Sequence, residues 1–412
     1  MIRLGYLVPE FPGQTHAFFW REIACLEARG CEVSLVSTRP PPWQIICHSW
    51  SREASARTTY LAPIRAPGLW RGVLSLLRGG PIRRLQCFWM LAAAEGLSTK
   101  ARLRGLGLVL AGAILADLAR RGQWTHIHVH SAGDAALVAM FAHALGGPPY
   151  SLTLHGHIDH YGPAQREKWT RAAFGIAVTN ALRDQLLARV PSLDPARVGV
   201  APMGVDTEAF RRATPYAAPA AGEPWRLVTC GRLHPGKGHD DAITAVATLR
   251  DSGISATLHL LGEGPDRPRL ETLIAHRDLT DRVRLLGAAP ESVVRTELES
   301  AHAFILGSHD EAIGVATMEA MAMELPVIVT RVGGVPELVR DGIDGLLVPP
   351  RDPSAIADAI RRTLEAPETA RMFGCAGSAR VRDLFTSRRS ADELISRLGT
   401  RQSAAPTDNS GR

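Results

Sequence analysis

Short runs of aliphatic and β-branched residues alternate with segments of helical period along most of this 412-residue chain. Such alternation is typical of parallel sheets whose strands are joined by crossover helices. The first half is therefore predicted to contain six strands and three helices. The strands are predicted at 2–8, 32–37, 126–130, 150–155, 175–179 and 198–201, and the helices at 15–29, 134–145 and 181–190.

The alternation is interrupted once, over 202–223, by prolines, glycines and a run of alanines. Such a stretch is typical of a segment between domains. We assign 1–205 to a first domain, 206–223 to a linker and 224–385 to a second domain. The second domain is predicted to have strands at 226–231, 257–262, 283–287, 303–306, 327–330 and 345–348, and helices that begin near 237, 266, 292, 314, 335 and 354.

The length of the chain agrees with this division, because 412 residues exceed what one hydrophobic core usually organises. No short-period repeat is visible, which favours two doubly wound α/β domains over a solenoid. Sheets of this class bind ligands beyond the carboxyl ends of their strands. If two such domains face each other, their strand ends line a central cleft, and we predict that ligands bind there. The small, polar residues over 401–412 are predicted to be a disordered tail.

Composition and cysteine spacing predict a cytoplasmic protein. No secretory signal precedes the first predicted strand. The apolar stretch over 105–116 is shorter than the roughly 20 residues that a bilayer crossing needs. The six cysteines are scattered without a C-x-x-C pair, which favours reduced thiols over a disulfide framework or a zinc site.

The net charge of +6 is concentrated in a predicted helical segment over 63–116. This segment has eight bases and one acid, Glu95, so its own net charge is +7. One interpretation is that residues 63–104 dock on an anionic membrane surface. The alternative is that the helices pack on the first domain and leave their arginines solvated. No nucleic-acid partner is predicted, because no recognition motif accompanies the charge.

The first candidate site follows the predicted strand at 303–306. Glu311 lies in the next loop and Glu319 more than one turn into the following helix, so both can face the cleft. The N–H groups of Gly314, Val315 and Ala316 would be unpaired donors at that helix start, which favours a bound diphosphate. The two carboxylates could then accept hydrogen bonds from the hydroxyls of a sugar or a ribose. The alternative is a surface helix with two solvated acids.

A second candidate follows the predicted strand at 226–231. Arg232 and Lys237 lie on either side of a turn rich in glycine and proline, where both can converge on one anion. Arginine offers a planar fork to phosphate oxygens, and lysine offers a mobile point charge. Two bases in a loop are common, but next to the helix start of the same domain they form a predicted diphosphate clamp.

Several motifs occur in order in both halves. They include Phe-Pro-Gly-Gln-Thr at 11–15, Thr-Leu-His-Gly at 153–156, Pro-Met-Gly-Val-Asp at 202–206, Gly-Arg and Lys-Gly within 231–238, Leu-Gly-Glu-Gly-Pro at 261–265, the two glutamates within 311–322, Gly-Gly-Val-Pro-Glu at 333–337, and the stretch 341–348. In these motifs and in their order, the chain resembles the retaining glycosyltransferases of family 4, which have the two-domain GT-B fold. The similarity covers about 1–50 and 124–398, and it is strongest to bacterial enzymes that assemble exopolysaccharides such as colanic acid.

The resemblance implies that the second domain holds a nucleotide-sugar donor and the first domain the acceptor. Arg232 and Lys237 would bind the donor diphosphate. Glu311 would contact hydroxyls of the transferred sugar, and Glu319 the ribose of the nucleotide. His155, at the end of a first-domain strand, would lie beside the transferred sugar. We therefore assign catalysis to Glu311, Arg232, Lys237 and His155, and donor binding to Glu319.

Further donor contacts are expected from backbone groups. Gly13, in the loop after the first strand, would let the backbone approach a phosphate or the acceptor closely. The base would be recognised around Gly287 and Ala288, and the diphosphate at Gly314 to Ala316. The family often has Glu-Gly-Phe-Gly where this chain has Glu-Ala-Ile-Gly at 311–314, so the sugar and the base, UDP or GDP, stay open.

No metal or other cofactor is expected. No Asp-x-Asp stands at a convincing strand end, and the basic clamp can stabilise the charge on a departing nucleoside diphosphate. The histidines at 126, 128, 130, 155, 157 and 160 lack a Cys or carboxylate that completes a ligand set, so they are predicted to form a polar wall for the acceptor. The resemblance further implies retention of the anomeric configuration and a helix over 386–400 that crosses back to the first domain.

The sequence thus predicts a metal-independent hexosyltransferase that acts on a saccharide or lipid-linked saccharide in bacterial surface polysaccharide synthesis. It would be cytoplasmic or peripheral at the inner face of the cytoplasmic membrane. One alternative is a sugar-nucleotide 2-epimerase, which shares the architecture. The other is a non-catalytic nucleotide-sugar-binding subunit. The two glutamates and the basic clamp argue against both.

Overall fold

A computed structural model describes residues 1–64, 66–96, 98–220 and 222–402, with the backbone alone for 400–402. Arg65 of the basic segment lies outside the described residues, as does the predicted tail from residue 403 onward. Residues 401 and 402 belong to the last helix, which corrects the predicted start of the tail by two residues.

The first half of the chain forms one parallel sheet of seven strands. They are β1 (Arg3–Glu10), β2 (Glu32–Arg39), β3 (Thr59–Tyr60), β4 (His126–Val129), β5 (Tyr150–Leu154), β6 (Gly175–Ala177) and β7 (Val198–Val200). Their order is β3-β2-β1-β4-β5-β6-β7. Leu4 of β1 pairs with Val33 on one side and His126 on the other. The six predicted strands are confirmed to within two residues at each end, and only the short β3 was missed.

The second half forms a parallel sheet of six strands, all of them predicted. They are β8 (Trp225–Cys230), β9 (Ala256–Leu261), β10 (Val283–Gly287), β11 (Ala303–Leu306), β12 (Val327–Thr330) and β13 (Leu346–Val348). The order is β10-β9-β8-β11-β12-β13. In each sheet the chain adds strands on one side of its first strand, β1 or β8, and then crosses over to add the rest on the other side. This order confirms two doubly wound domains.

Helices connect the strands in both halves. They are α1 (Ala17–Ala28), α2 (Ser51–Arg57), α3 (Ala66–Arg78), α4 (Gly80–Ala93), α5 (Thr99–Arg121), α6 (Asp134–Ala144), α7 (Gln165–Arg171), α8 (Asn180–Arg189), α9 (His239–Asp251), α10 (Arg267–His276), α11 (Glu291–Ser300), α12 (Val315–Ala322), α13 (Val335–Leu338), α14 (Pro353–Glu365), α15 (Pro367–Leu384) and α16 (Ser387–Gln402). Outside the basic segment, the predicted helices are confirmed to within two residues at the predicted ends, whereas α2, α7 and α15 were not predicted. The helical segment predicted over 63–116 forms α3 to α5, which begin three residues later and end five residues later than predicted.

The central strands are buried on both faces. Every residue of β4, β5, β11 and β12 is buried, because helices cover both sides of each sheet. Helix α6 is buried over 135–142. Its neighbour α5 approaches so closely that a Cβ at Gly112 would lie 2.7 Å from the Cβ of Phe141. These buried runs explain why the strands could be predicted from continuous hydrophobic stretches.

The chain passes between the domains twice, and the two crossings pair with each other. The N–H of Val205 donates to the carbonyl of Phe385 at 2.9 Å, and the N–H of Ser387 donates to Val205 at 3.2 Å. A Cβ at Gly204 would lie 2.0 Å from the carbonyl carbon of Thr386, so only glycine fits there. The paired crossings form the joint between the domains.

Beyond the second crossing, α16 packs against α1 of the first domain. Arg29 forms an ion pair with Asp392. The hydroxyl of Ser390 donates to Glu22 Oε1 at 2.7 Å. The last helix therefore completes the packing of the first domain, although the second domain precedes it in the chain.

The basic segment forms α3, α4 and α5, which contain both buried and exposed apolar residues. Cys87, Met90 and Leu91 are buried, in agreement with packing on the first domain. Trp70 and Trp89, by contrast, are 74% and 68% exposed. Of the nineteen large hydrophobic residues that are exposed in the described ranges, twelve lie between Ile64 and Leu106. Within these ranges, no helix is both long enough and apolar enough to cross a bilayer.

We predict that Gly204→Ala destabilises the protein, because its methyl group would overlap the second crossing. The expected loss is about 1–3 kcal/mol in the free energy of unfolding, as for other overpacked sites. Urea denaturation followed by circular dichroism measures it. Gly107→Ala is the matched control, because nothing lies within 4 Å of a Cβ at that position in α5. The control should be neutral or stabilising, and equal losses in both variants would contradict the prediction.

Candidate active site

A cleft lies between the carboxyl ends of the two sheets. Strands of both domains end on it, since parallel strands finish at one edge of a sheet. Its cavity has a volume of about 530 Å³ and is lined by both domains. The charged and histidine side chains that line it include Glu10, His16, Arg39, His130, His155, Arg232, Lys237 and Glu311.

Two loops of the second domain, 231–238 after β8 and 307–314 after β11, pack against each other at this cleft. Gly238 has a φ of +57°, and a Cβ there would lie 1.8 Å from the carbonyl oxygen of Gly307. Both the backbone conformation and the close approach require glycine. The packing of these loops brings the two predicted candidate sites together.

Lys237 and Glu311 form an ion pair inside the cleft. Lys237 Nζ donates to Glu311 Oε2 at 2.6 Å, and the hydroxyl of Ser308 donates to the same oxygen at 3.3 Å. Arg232 is exposed in the same cavity and forms no ion pair with any described residue. Since Lys237 and Glu311 neutralise each other, Arg232 provides net positive charge there. An anionic ligand would compete with Glu311 for Lys237.

Helix α12 begins at the cleft with its positive end toward the cavity. Its N-cap is Gly314, with a φ of +90°, a conformation that favours glycine. Val315 and Ala316 line the cavity. The first N–H groups of a helix have no acceptor within it, so they are available to an anion. The N–H groups of Val315 and Ala316 and the basic clamp thus lie on one cavity, whereas Gly314, the third predicted donor, caps the helix and does not line that cavity.

His155 lies at the end of β5 and lines the same cavity from the first domain. Its Nε2 is 2.9 Å from His130 Nδ1, and its Nδ1 is 3.2 Å from Met203 Sδ. Burial, together with the nearby His130, holds the pKa of His155 well below its ordinary value. The imidazole of His155 is therefore neutral near pH 7, which suits a group that hydrogen-bonds a sugar.

A buried carboxylate stands behind these histidines. Glu22 of α1 is 3.1 Å from His130 Nε2, and it accepts the hydroxyl of Tyr6 at 2.6 Å. Burial would raise the pKa of Glu22, but His130, His128 and the Tyr6 hydroxyl lower it to about 2. The sequence analysis missed Glu22. A glutamate within the mostly apolar segment 17–28 was the available signal, but its partners lie on distant elements.

The histidines of β4 are buried, and they pair with the neighbouring strand. His126 Nε2 and His128 Nδ1 lie 2.8 Å and 2.7 Å from the hydroxyl of Ser151, and His128 Nε2 lies 2.9 Å from that of Thr153. Only His130 of the three reaches the cleft. Of the six histidines predicted to form a polar wall, His130 and His155 line the cavity, and those at 126, 128, 157 and 160 do not.

A smaller cavity of about 110 Å³ adjoins the cleft at the start of α12. Gly13, Gly287 and Ala288 do not line it, although they were predicted to contact the donor. Their neighbours Gln14 and Ala289 do. A Cβ at Gly13 would lie 3.1 Å from the ring of His16, so this glycine serves local loop packing in the structure.

Polar contacts close this smaller cavity across the two domains. The side-chain amide of Gln14 donates to the carbonyl of Glu263 at 2.9 Å, and the N–H of Glu263 donates to Gln14 Oε1 at 3.0 Å. Arg21 of α1 bonds Glu319 Oε1 and Glu291 Oε2, each at 2.9 Å. Glu319 thus lies at the cavity as predicted, but with a first-domain arginine that the sequence analysis missed.

Among the described residues, one group has the spacing of a metal site: Asp240, Asp241 and His309. Asp241 is 2.7 Å from His309, and Asp240 is 3.0 Å from Arg269. These ion pairs account for the spacing of the group. None of the three residues lines either cavity.

Comparison with known proteins connects this geometry to an enzyme class. Residues 212–380 match the family described as glycosyl transferases group 1, and residues 91–209 match glycosyltransferase family 4. The two matches abut at the interdomain segment.

Similar proteins extend over most of the chain. A Salmonella typhimurium protein with the provisional name colanic acid biosynthesis glycosyltransferase WcaL is 28% identical over 86% of this chain and 89% of its own length. The D-inositol 3-phosphate glycosyltransferase of Saccharomonospora viridis is 31% identical over 67% of this chain and 65% of its own.

Solved structures share the fold. Sucrose-phosphate synthase from Thermosynechococcus elongatus superimposes with a TM-score of 0.74 at 20% identity, covering 98% of this chain and all of that one. Anabaena HepE, solved with UDP and glucose, gives 0.73 at 16% identity, covering 97% of this chain and all of that one. At these identities the likeness establishes the fold alone.

We predict that Glu22→Gln lowers stability in a pH-dependent way. The pKa of Glu22 falls from an ordinary 4.5 to about 2 on folding, so its stabilisation is full above pH 4.5 and is lost as the pH falls toward 2. The free energy of unfolding is expected to fall by roughly 3 kcal/mol at pH 7. At pH 3 the loss should be smaller, below about 1.5 kcal/mol. Urea denaturation at several pH values measures it.

Glu32→Gln is the control, because Glu32 is exposed and pairs with Arg3 on the surface. Such exposed pairs contribute about 1 kcal/mol or less. A loss in Glu22→Gln that is the same at pH 7 and pH 3 would contradict the assigned ionisation of Glu22.

Proposed function

Because the chain belongs to the glycosyltransferases of group 1 and family 4 with the GT-B fold, we propose that it transfers a hexosyl group from a UDP- or GDP-sugar to a saccharide acceptor. The observation that carries the donor assignment is the Lys237–Glu311 pair beside the start of α12, with Arg232 on the same cavity. This arrangement offers two cations, helix-start donors and a carboxylate to one ligand. A diphosphate joined to a sugar has the complementary groups.

The chemistry follows from where charge develops. When the sugar–phosphate bond breaks, negative charge grows on the leaving β-phosphate. Arg232, Lys237 and the N–H groups of Val315 and Ala316 would stabilise that charge in the transition state more than in the bound donor. Lys237 would exchange its bond to Glu311 for one to phosphate, which would free Glu311 to accept sugar hydroxyls. These fixed cations support a reaction without a metal or other cofactor.

The stereochemical proposal rests on the family resemblance. The acceptor hydroxyl would attack from the face that the phosphate leaves, with retention of the anomeric configuration. His155 lies opposite the clamp and is neutral near pH 7, so it can hydrogen-bond the sugar without adding charge. Proton NMR of the first-formed product distinguishes retention from inversion.

The acceptor class is proposed from relatives. Matching proteins are named for the biosynthesis of colanic acid and of amylovoran. Both names refer to bacterial exopolysaccharides, so we assign the acceptor to a saccharide, free or lipid-linked, in surface polysaccharide synthesis.

The proposed donor site is tested by titration calorimetry with UDP, GDP, ADP and their sugars in the presence of EDTA. One nucleotide is expected to bind the wild type without metal. Lys237→Ala should bind it about 10- to 100-fold more weakly, as expected for the loss of a charge-assisted bond to phosphate. Arg361→Ala removes a comparable cation that pairs with Asp358 on the surface of α14, and it should bind like the wild type.

Other outcomes would contradict the proposal in defined ways. Binding that needs a divalent ion would refute metal independence. Formation of an epimeric sugar nucleotide without acceptor would favour the 2-epimerase. Tight donor binding without turnover on any acceptor would favour a non-catalytic subunit.

We further propose that α3, α4 and the start of α5 dock on an anionic membrane from the cytoplasmic side, where a lipid-linked acceptor would be. Trp70, Phe88 and Trp89 are exposed beside bases that form no ion pair with described residues. Apolar side chains among unpaired cations match an interface of acyl chains and anionic headgroups. The unpaired bases on this surface are Arg71, Arg78, Arg83, Arg84, Lys100 and Arg102.

Co-sedimentation with vesicles tests this surface. The protein should bind vesicles rich in phosphatidylglycerol but not pure phosphatidylcholine, and added salt should weaken binding. The triple variant Trp70→Ser, Phe88→Ser and Trp89→Ser should bind about tenfold or more weakly, because its apolar contacts are lost. Met372→Ser, an exposed apolar site of the second domain, is the control. Equal binding by the triple variant and the wild type would refute the surface.

A further inference from the structure

Arg21 is the buried cation through which the first domain reaches the smaller cavity. It lies on α1, is 8% exposed, and stacks over the ring of Phe210 at 4.9 Å. Its Nη2 donates to both Glu319 and Glu291 of the second domain, each at 2.9 Å. A long side chain of one domain is thus bound by two carboxylates of the other.

The remaining donors of Arg21 are unused. Its Nε and Nη1 are buried and have no hydrogen-bond partner among the described residues. An unpaired donor of a buried guanidinium is costly, so stability alone does not account for this arrangement. Arg21 lines the smaller cavity together with Glu319, at the end next to Val315 and Ala316.

Arg21 offsets part of the cost of burying the Glu319 carboxylate, although the pKa of Glu319 stays raised on balance. Burial raises the pKa of Glu319, Arg21 opposes that rise, and the nearby Glu291 adds to it. Without Arg21, two carboxylates would face each other in a buried place, where like charges repel strongly. Arg21 holds only Oε1 of Glu319, and a carboxylate has further acceptor capacity for ligand hydroxyls.

We propose that Arg21 is a positioning residue for nucleoside recognition: it holds the Glu319 carboxylate at the smaller cavity, so that the ribose hydroxyls are bound when the domains are closed. This inference rests on the proposed donor function. Since Arg21 and Glu319 lie on different domains, separating the domains breaks their contact. Ribose recognition and domain closure then stabilise each other, as linkage requires.

The test compares a nucleoside diphosphate with its 2′,3′-dideoxy analogue by titration calorimetry, using whichever of UDP and GDP binds the wild type. The wild type should prefer the ribonucleotide by about tenfold or more, since hydrogen bonds to a charged group are at stake. In Arg21→Gln the preference should fall to about threefold or less, because Glu319 loses its partner. Arg21→Lys keeps the positive charge but lacks the planar guanidinium with its several N–H donors, so it should give an intermediate preference for the ribonucleotide.

Two controls separate this role from a general loss of structure. Arg29→Gln removes another ion pair between α1 and a neighbouring element, away from the cavity, and should keep the full ribose preference. Inorganic pyrophosphate should bind Arg21→Gln within about twofold of the wild type, because it has no ribose for Glu319 to bind and the substitution leaves Arg232 and Lys237 in place.

The outcomes are distinguishable. If Arg21→Gln weakens both nucleotides by the same factor and keeps the preference, Arg21 has no part in ribose recognition and the inference is overturned. If the wild type binds neither nucleotide, the proposed donor function fails and this inference fails with it.

Discussion

Parallel pairing at the centre of each sheet is the constraint on which the site depends. β1 lies between β2 and β4, and β8 lies between β9 and β11. Since parallel strands all end at one edge, the loops that follow them are collected at that edge. The loops after β8 and β11 therefore meet although 72 residues separate Cys230 from Ala303. The contact between Gly238 and Gly307 then places Lys237 against Glu311.

Polar groups of both domains meet at the cleft, beside apolar residues of both domains that share one buried cluster. Gln14 makes two hydrogen bonds to Glu263, and Arg21 bonds Glu319. Such contacts cost little to break when water can replace them, unlike a large apolar interface. The paired crossings at Val205 and Phe385 join the domains where the chain passes between them.

Charge inside the first domain is satisfied by a connected network. Glu22 joins α1 to β1 through Tyr6, to β4 through His130, and to α16 through Ser390. A buried carboxylate without such partners would be strongly destabilising. The network ends at His155 on the cleft, so the last helix of the chain supports a residue of the candidate site. Loss of that helix would therefore disturb the first-domain side of the cleft as well as the packing of α1.

The sequence by itself determined all strands but β3, the doubly wound class, the loops that carry Arg232, Lys237 and Glu311, and the helix that carries Glu319, because hydrophobic period and strand-end position are local properties. It also indicated the enzyme class through ordered motifs. Only the tertiary structure decided which polar groups meet. Arg21 and Glu319 are 298 residues apart, and Gln14 and Glu263 are 249 apart. It likewise brought Ala289, and not Gly287, to the smaller cavity. Such pairings depend on how distant elements dock, and no local pattern records the partner of a buried charge.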